Sequence, residues 1–214
     1  MAGSGYTFVE AINEVVEVIG EFPMTGNTKP SAQSDTTSNY RRAEDFIDRF
    51  NKRIQSQGWP ENTTIAKKFT TASNSGNFQI DLPSAGTVLR VKSAGSSAHR
   101  DLVLRVDTGD SNKLKVFDAN RDSFTFSTSA AEDIFLDVVT ELAFENLTPH
   151  LQDVIISQAK IAFQRRLQGN MNMDGALNSE YVQAEAQAPR NAPDIDQPFN
   201  TRPMIPGMGG KKED

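Results

Sequence analysis

Two amphipathic helical repeats separated by a glycine–proline break confine the first sixty residues to a pair of helices, each of which must bury one face. The first repeat opens with Thr7-Phe8-Val9-Glu10, a capping box in which a hydroxyl and a carboxylate satisfy each other's orphan backbone donors. Its apolar positions, Phe8, Ile12, Val15, Val16 and Ile19, recur at three and four residues and therefore share one side. Gly20 suits the left-handed cap that ends such a helix, and Pro23 prevents its resumption. The second repeat covers about residues 39–57, with Ala43, Phe46, Ile47, Phe50 and Ile54 on its stripe and Gly58 as its stop. Trp59, directly after that stop, reads as a core residue wedged under the helix rather than as a platform for a sugar or base.

From about Thr63 to Thr140 the period changes. Residues 78–82, 102–106, 113–116, 123–126 and 133–138 alternate or nearly alternate between apolar and polar. Clusters of Gly, Ser, Asn and Asp at 73–77, 93–97, 108–112 and 119–122 separate them. Short strands at this spacing, with no helix between them, predict an antiparallel meander or small barrel. Helical spacing returns after Asn146. Thr148 is a natural N-cap with Pro149 in the first helical position, and Leu151, Val154, Ile155, Ala159, Ala162, Phe163 and Leu167 form a stripe that reaches Gly169. A fourth helix is expected after Asp174, carrying Leu177, Tyr181 and Val182. The fold class predicted is α+β. Residues 1–60 and 146–188 form a four-helix bundle, and residues 61–145 form a β-rich insertion between helices two and three.

Residues 189–214 hold half of the ten prolines and little periodicity. Ile195, Phe199, Met204 and Ile205, with Arg202 among them, are spaced anchors unlike those of a Gly/Ser linker. An extended arm of this length reaches roughly 80 Å. It is expected to bind along a partner or a neighbouring subunit.

The composition excludes several chemistries. There is no cysteine, so disulfides, thiolate metal sites and cysteine nucleophiles are absent. The two histidines, His99 in a strand-to-strand turn and His150 in the first turn of a helix, have no second imidazole nearby, and no metal-ligand spacing is present. The 207–212 stretch lacks the Ser/Thr and following helix of a phosphate loop. Arg41, Arg42, Asp45, Asp48, Arg49, Lys52 and Arg53 read as a solvated or intersubunit salt-bridge face. Glu132, Asp133, Asp137, Glu141 and Glu145 raise the alternative of a carbohydrate-active tail protein. The basic residues of the second helix raise that of a DNA-binding packaging factor. Against the latter, the net charge is −6, and residues 121–188 carry 10 acidic against 4 basic groups. An acidic surface repels nucleic acid, which suits a conduit better than a grip. No stretch resembles a signal peptide or a membrane span, so no membrane association is expected.

The joints carry an identity that the stripes do not. Ala11-Ile12-Asn13 leads through Ile19-Gly20-Glu21 to Pro23. Ala43 precedes Ile54-Gln55-Ser56-Gln57-Gly58-Trp59, and a later helix begins at Pro149 and carries Ala159, Phe163, Arg166 and Gly169. Over residues 10–188 the chain resembles the tail tubular protein A family, the head-to-tail adaptors of short-tailed bacteriophages (podoviruses). The most specific portion is the Ile-Gly-Glu-x-Pro turn, with Ile19, Gly20, Glu21 and Pro23, coupled to the closure formed by Gln55, Gly58 and Trp59. The resemblance implies a virion protein of the tail or neck, assembled in the host cytoplasm. Twelve copies would form a homo-oligomeric ring between the portal protein and the tail nozzle (tubular protein B), with tail fibres as a further partner. The ring would enclose the channel of genome ejection, through which DNA passes without specific binding. It implies no enzyme activity, no cofactor and no catalytic or metal-binding residues. The proline-rich arm departs from the family's pattern.

Overall fold

The computed structural model describes residues 5–32, 38–74, 77–80, 82, 88–110 and 113–187. Among these lie four α-helices, α1 (Phe8–Glu17), α2 (Asn39–Gln55), α3 (Pro149–Leu167) and α4 (Met171–Gln187). Seven strands fall between α2 and α3: β1 (Thr63–Thr70), β2 (Ala72–Asn74), β3 (Asn77–Gln79), β4 (Val88–Ser93), β5 (Leu102–Asp107), β6 (Lys113–Asp118) and β7 (Asp133–Thr140). The protein is α+β with small antiparallel sheets.

The helix starts follow from local chemistry. Thr7 and Glu10 form the predicted capping box, Thr7 N–H donating to the Glu10 carboxylate at 2.7 Å and Glu10 N–H to the Thr7 hydroxyl at 3.2 Å. Ser38 caps α2 by accepting from Arg41 N–H. Thr148 takes the N-cap position of α3, but its hydroxyl does not cap; it donates to Glu61, before β1, at 3.2 Å. A longer-range partner has displaced the local one.

The predicted stripes of α1 and α2 face a shared core: Ile12, Val15, Val16, Ala43 and Ile47 are fully buried. Each such aliphatic side chain contributes about 1.5–3 kcal/mol relative to exposure. Phe8 meets Phe144 edge-on at 5.5 Å, and Phe46 lies between Phe50 and Phe163. The predicted single stripe of α3 is an underestimate, since Ile156, Ser157, Ile161 and Gln164 are buried as well. The helix is central, packed by α1, α2 and α4, and its buried surface is correspondingly wider than one stripe, while its ends, at His150, Arg165 and Arg166, stay exposed. α4 starts at Met171, earlier than expected, and packs chiefly on α3 through Leu177, Tyr181 and Ala184, leaving Val182 exposed.

The β region has its own core of Ile80, Val88, Val91, Leu102, Val116, Phe126, Ile134, Leu136 and Val138. In place of strands paired in simple succession, there is a three-stranded sheet of order β1-β7-β4 and two hairpins, β2-β3 and β5-β6. β7 has the most thoroughly buried strand interior, with Ile134, Leu136, Val138 and Val139 inaccessible. It takes the central place, where both of its edges are hydrogen-bonded. β4 escapes the alternation pattern because a bulge between Val88 and Arg90 breaks the period. Residues 123–126 form no strand. Isolated bridges from Ser123 to Asp118 and from Ser127 to Phe78 flank the stretch, and Phe126 is buried in the β core. Residues 189–214, with Ile195, Phe199, Arg202, Met204 and Ile205, lie outside the described residues.

Candidate functional site

The two family joints are built from hydrogen bonds that the helix pattern does not foretell. At the end of α1, Gly20 has φ +79°. Its N–H donates to Glu17 C=O at 2.8 Å, while Glu21 N–H reaches Val16 C=O at 3.4 Å. This pair of bonds is the Schellman closure, which needs a left-handed residue at the glycine. The segment beyond it is clamped by both helices. Met24 N–H donates to Asn13 of α1 at 2.7 Å, Tyr40 of α2 donates its hydroxyl to Phe22 C=O at 2.8 Å, and Asn39 donates to the Glu21 carboxylate. Ile19 and Met24 pack against the helical core. Phe22, held at its backbone on both sides, leaves its ring 86% exposed.

At the end of α2, Gly58 has φ +84°. The Trp59 indole N–H donates to Ile54 C=O at 2.8 Å, the carbonyl that the backbone N–H of Trp59 would serve in a Schellman closure. That backbone N–H goes instead to Asn62 at 2.7 Å. Trp59 is buried beneath α2, as its position after Gly58 predicts. Gln55 is fully buried. Its amide donates to Asn51 at 2.7 Å and to Leu142 C=O at 2.9 Å, and its oxygen accepts from Leu142 N–H at 2.8 Å. Asn62 completes the knot by donating to Gln55 C=O and to Thr140 C=O. Both chain crossings between helices and β region, after α2 and after β7, are thereby fastened to one another.

A second buried glutamine was not foreseen. Gln152 of α3 accepts from Tyr6 N–H at 2.8 Å and donates to Tyr6 C=O and Phe144 C=O, tying the start of the chain to the exit from the β region. A Cβ on Gly5 would collide with its Oε1. The available signal was an amide side chain on an otherwise apolar helix face, and Asn51 and Gln55 carry the same signal on α2.

Two surfaces of opposite charge flank α3. Glu10, Glu14 and Glu17 of α1 and Glu21 beyond its end line an open cleft together with Phe22 and Pro23. Hydrogen bonds from Thr7 hold the Glu10 carboxyl below the usual carboxylate range. Lys160 of α3 bridges Glu14 of α1 at 2.8 Å and Glu180 of α4 at 3.3 Å. Burial would push its ammonium down, but these carboxylates outweigh that and hold it above the ordinary lysine value. On the other side of α3, Phe46 and Phe50 of α2, Ala162 of α3 and Tyr181 of α4 line a cleft rimmed by Arg53, Arg165 and Arg166, which continues to Arg42, Arg49 and Asp45, the last paired with Arg41. Arg165 is engaged by Asp174 at 2.5 and 2.8 Å. Arg49, Arg53 and Arg166 make no ion pair among the described residues.

The acidic residues of the carbohydrate alternative are each tied to a different partner. Glu132 pairs with Arg100, Asp133 with Lys68, Glu141 with Lys52 and Glu145 with Lys29, and Asp137 accepts from Ala66 N–H. His99 and His150 are exposed and lie on different elements. No group of three or more metal-ligating residues occurs among the described residues. None of the described helices is long and apolar enough to cross a membrane.

The family model described as "Tail tubular protein" matches residues 9–198, a span that takes in both joints, the β region and all four helices. No curated protein matches the chain. The chain belongs to the tail tubular protein family, and it is a structural protein of the phage virion tail.

Proposed function

We propose, on the premise of that membership, that the chain is a ring-forming head-to-tail connector that joins the portal to the tail nozzle and encloses the channel of genome ejection. The observation that carries this reading is the extent of the family match, which covers helices and β region together. The structure supports it physically. A helical body with a central helix packed by three others and with distinct charged surfaces is suited to side-by-side packing, in which one face of a subunit complements a different face of the next. The helical body is the ring wall, and the β region is a separate module that reaches towards the nozzle and fibres. Residues 189–214 clasp the portal or an adjacent subunit through Ile195, Phe199, Arg202, Met204 and Ile205. The chain works without catalysis or cofactor.

Electron microscopy of the purified protein, alone and mixed with its portal, tests the reading. Annular particles with a central channel are expected. Single compact particles under both conditions would refute it. Deleting residues 189–214 is expected to leave a folded protein with weaker portal affinity; unchanged affinity removes the clasp.

A further inference from the structure

Phe22 is an exposed aromatic ring on a clamped backbone. Pro23 fixes one neighbour, Tyr40 binds the Phe22 carbonyl, Asn39 binds Glu21 and Asn13 binds Met24. A ring 86% exposed on so fixed a support loses little conformational entropy on docking, the condition that favours an interface anchor. Its surroundings are acidic: Glu10, Glu14, Glu17 and Glu21 line the same cleft. Of these Glu17 is exposed and makes no ion pair among the described residues.

The arginine-rimmed cleft is the complement in charge and offers an apolar floor. Its floor is aromatic, with Phe46 half-buried over Phe50, and its rim holds Arg49, Arg53 and Arg166 with no ion pair among the described residues. Arginine and aromatic residues are the side chains enriched where partners bind tightly. The two features cannot meet within one subunit. Lys160, which faces the acidic side, and Ala162, which lines the arginine cleft, are two residues apart on α3 and so point to nearly opposite sides, about 160° apart.

We infer that the Phe22 knob and its acidic flank seat in the arginine-rimmed cleft of a second copy of this chain, giving a head-to-tail contact. The inference rests on the ring reading above and names the surfaces that would make it. The apolar ring enters the aromatic floor, and the glutamates neutralise arginines that otherwise face water. Such a contact uses two different surfaces of each subunit, so it propagates from copy to copy and closes only by symmetry.

The absence of cysteine makes the test direct, because introduced thiols have no native competitor. The double variant Pro23→Cys/Gln158→Cys places one thiol beside each surface. Under mild oxidation it is expected to give a ladder of disulfide-linked oligomers, while each single variant gives no more than dimers. Adding Phe22→Ser, or Arg49→Glu with Arg166→Glu, is expected to lower ladder formation by about tenfold or more. Because these side chains are exposed, the melting transition should stay unchanged, so a folding defect is distinguishable from a lost contact. No ladder from the double variant, in a wild-type chain that still forms rings, overturns the knob-in-cleft contact and leaves the ring reading standing. Duplex DNA or the portal bound by the cleft, with no self-linking, also overturns it. A wild-type chain that never associates with itself, with or without portal, overturns both.

Discussion

Gln55 offers the sharpest test of how the helices are joined to the β region. Replacing it by Leu keeps much of the side-chain volume, so cavity formation contributes little and the polar term dominates. The substitution removes the donor to Leu142 C=O and Asn51 and the acceptor for Leu142 N–H, all in the junction interior. Two main-chain groups left without partners cost roughly 1–3 kcal/mol each, giving a total of about 2–6 kcal/mol. That is a large share of a typical domain's 5–15 kcal/mol. Urea denaturation at neutral pH measures the loss, and amide exchange at Leu142 locates it, with faster exchange expected there than at Ile155 in the body of α3. Gln55→Glu extends the argument. A carboxylate cannot donate to Asn51 or Leu142 C=O, so the buried acid will titrate above its ordinary value. A group whose folded-state pKa is raised in this way destabilises above its unfolded pKa of about 4.3 and recovers stability on acidification. Gln55→Leu with a loss below about 0.5 kcal/mol, or Gln55→Glu with no gain in relative stability on going from pH 7 to 5, would refute the claim that this network fastens the crossings.

Further outcomes follow from the same packing. Ile12→Ala should cost about 2–5 kcal/mol by equilibrium unfolding, because the side chain is fully enclosed between α1, α2 and α3 and leaves a cavity; a negligible loss would mean that the stripe faces solvent. Gly5→Ala should cost about 1–3 kcal/mol by the same assay, since its methyl meets the Gln152 amide and that amide is held by three hydrogen bonds. The β5–β6 hairpin should loosen in acid. Hydrogen bonds from Lys115 hold the Asp107 and Asp110 carboxyls below the usual aspartate value. Their contribution is therefore complete above about pH 4 and is lost as pH falls through the lower folded-state values. Exchange rates at Leu104 and Val116 should rise on going from pH 5 to 2 after correction for intrinsic rates, more than those at Ile155.

Helix positions were legible because their determinants lie within a few residues. The capping box at Thr7, the glycine stops at Gly20 and Gly58 and the stripes of α1 and α2 occur where periodicity puts them. The β region was legible in kind and less so in detail. Bulges after Val88 and Thr64 interrupt the period of two, and no local signal announces that β7 returns between β1 and β4. The family joints were legible as a motif, but their work was not. Gln55 meets Leu142 across 87 residues of sequence and Gln152 meets Tyr6 across 146. A polar side chain's partner at such separation is decided by which elements pack, and packing is not a property of any window of the chain.

By itself, then, the sequence determined an α+β order, four helices, three of them with their glycine stops, and membership of a phage-tail family, because caps, periodicity and motif spacing are local quantities. Only the tertiary structure decided that α3 is packed by three other helices and that two buried glutamines lock the crossings. It alone left the Phe22 ring exposed on one side of α3 and, on the other, arginines with no ion pair among the described residues, since burial and pairing depend on what other elements bring to each surface.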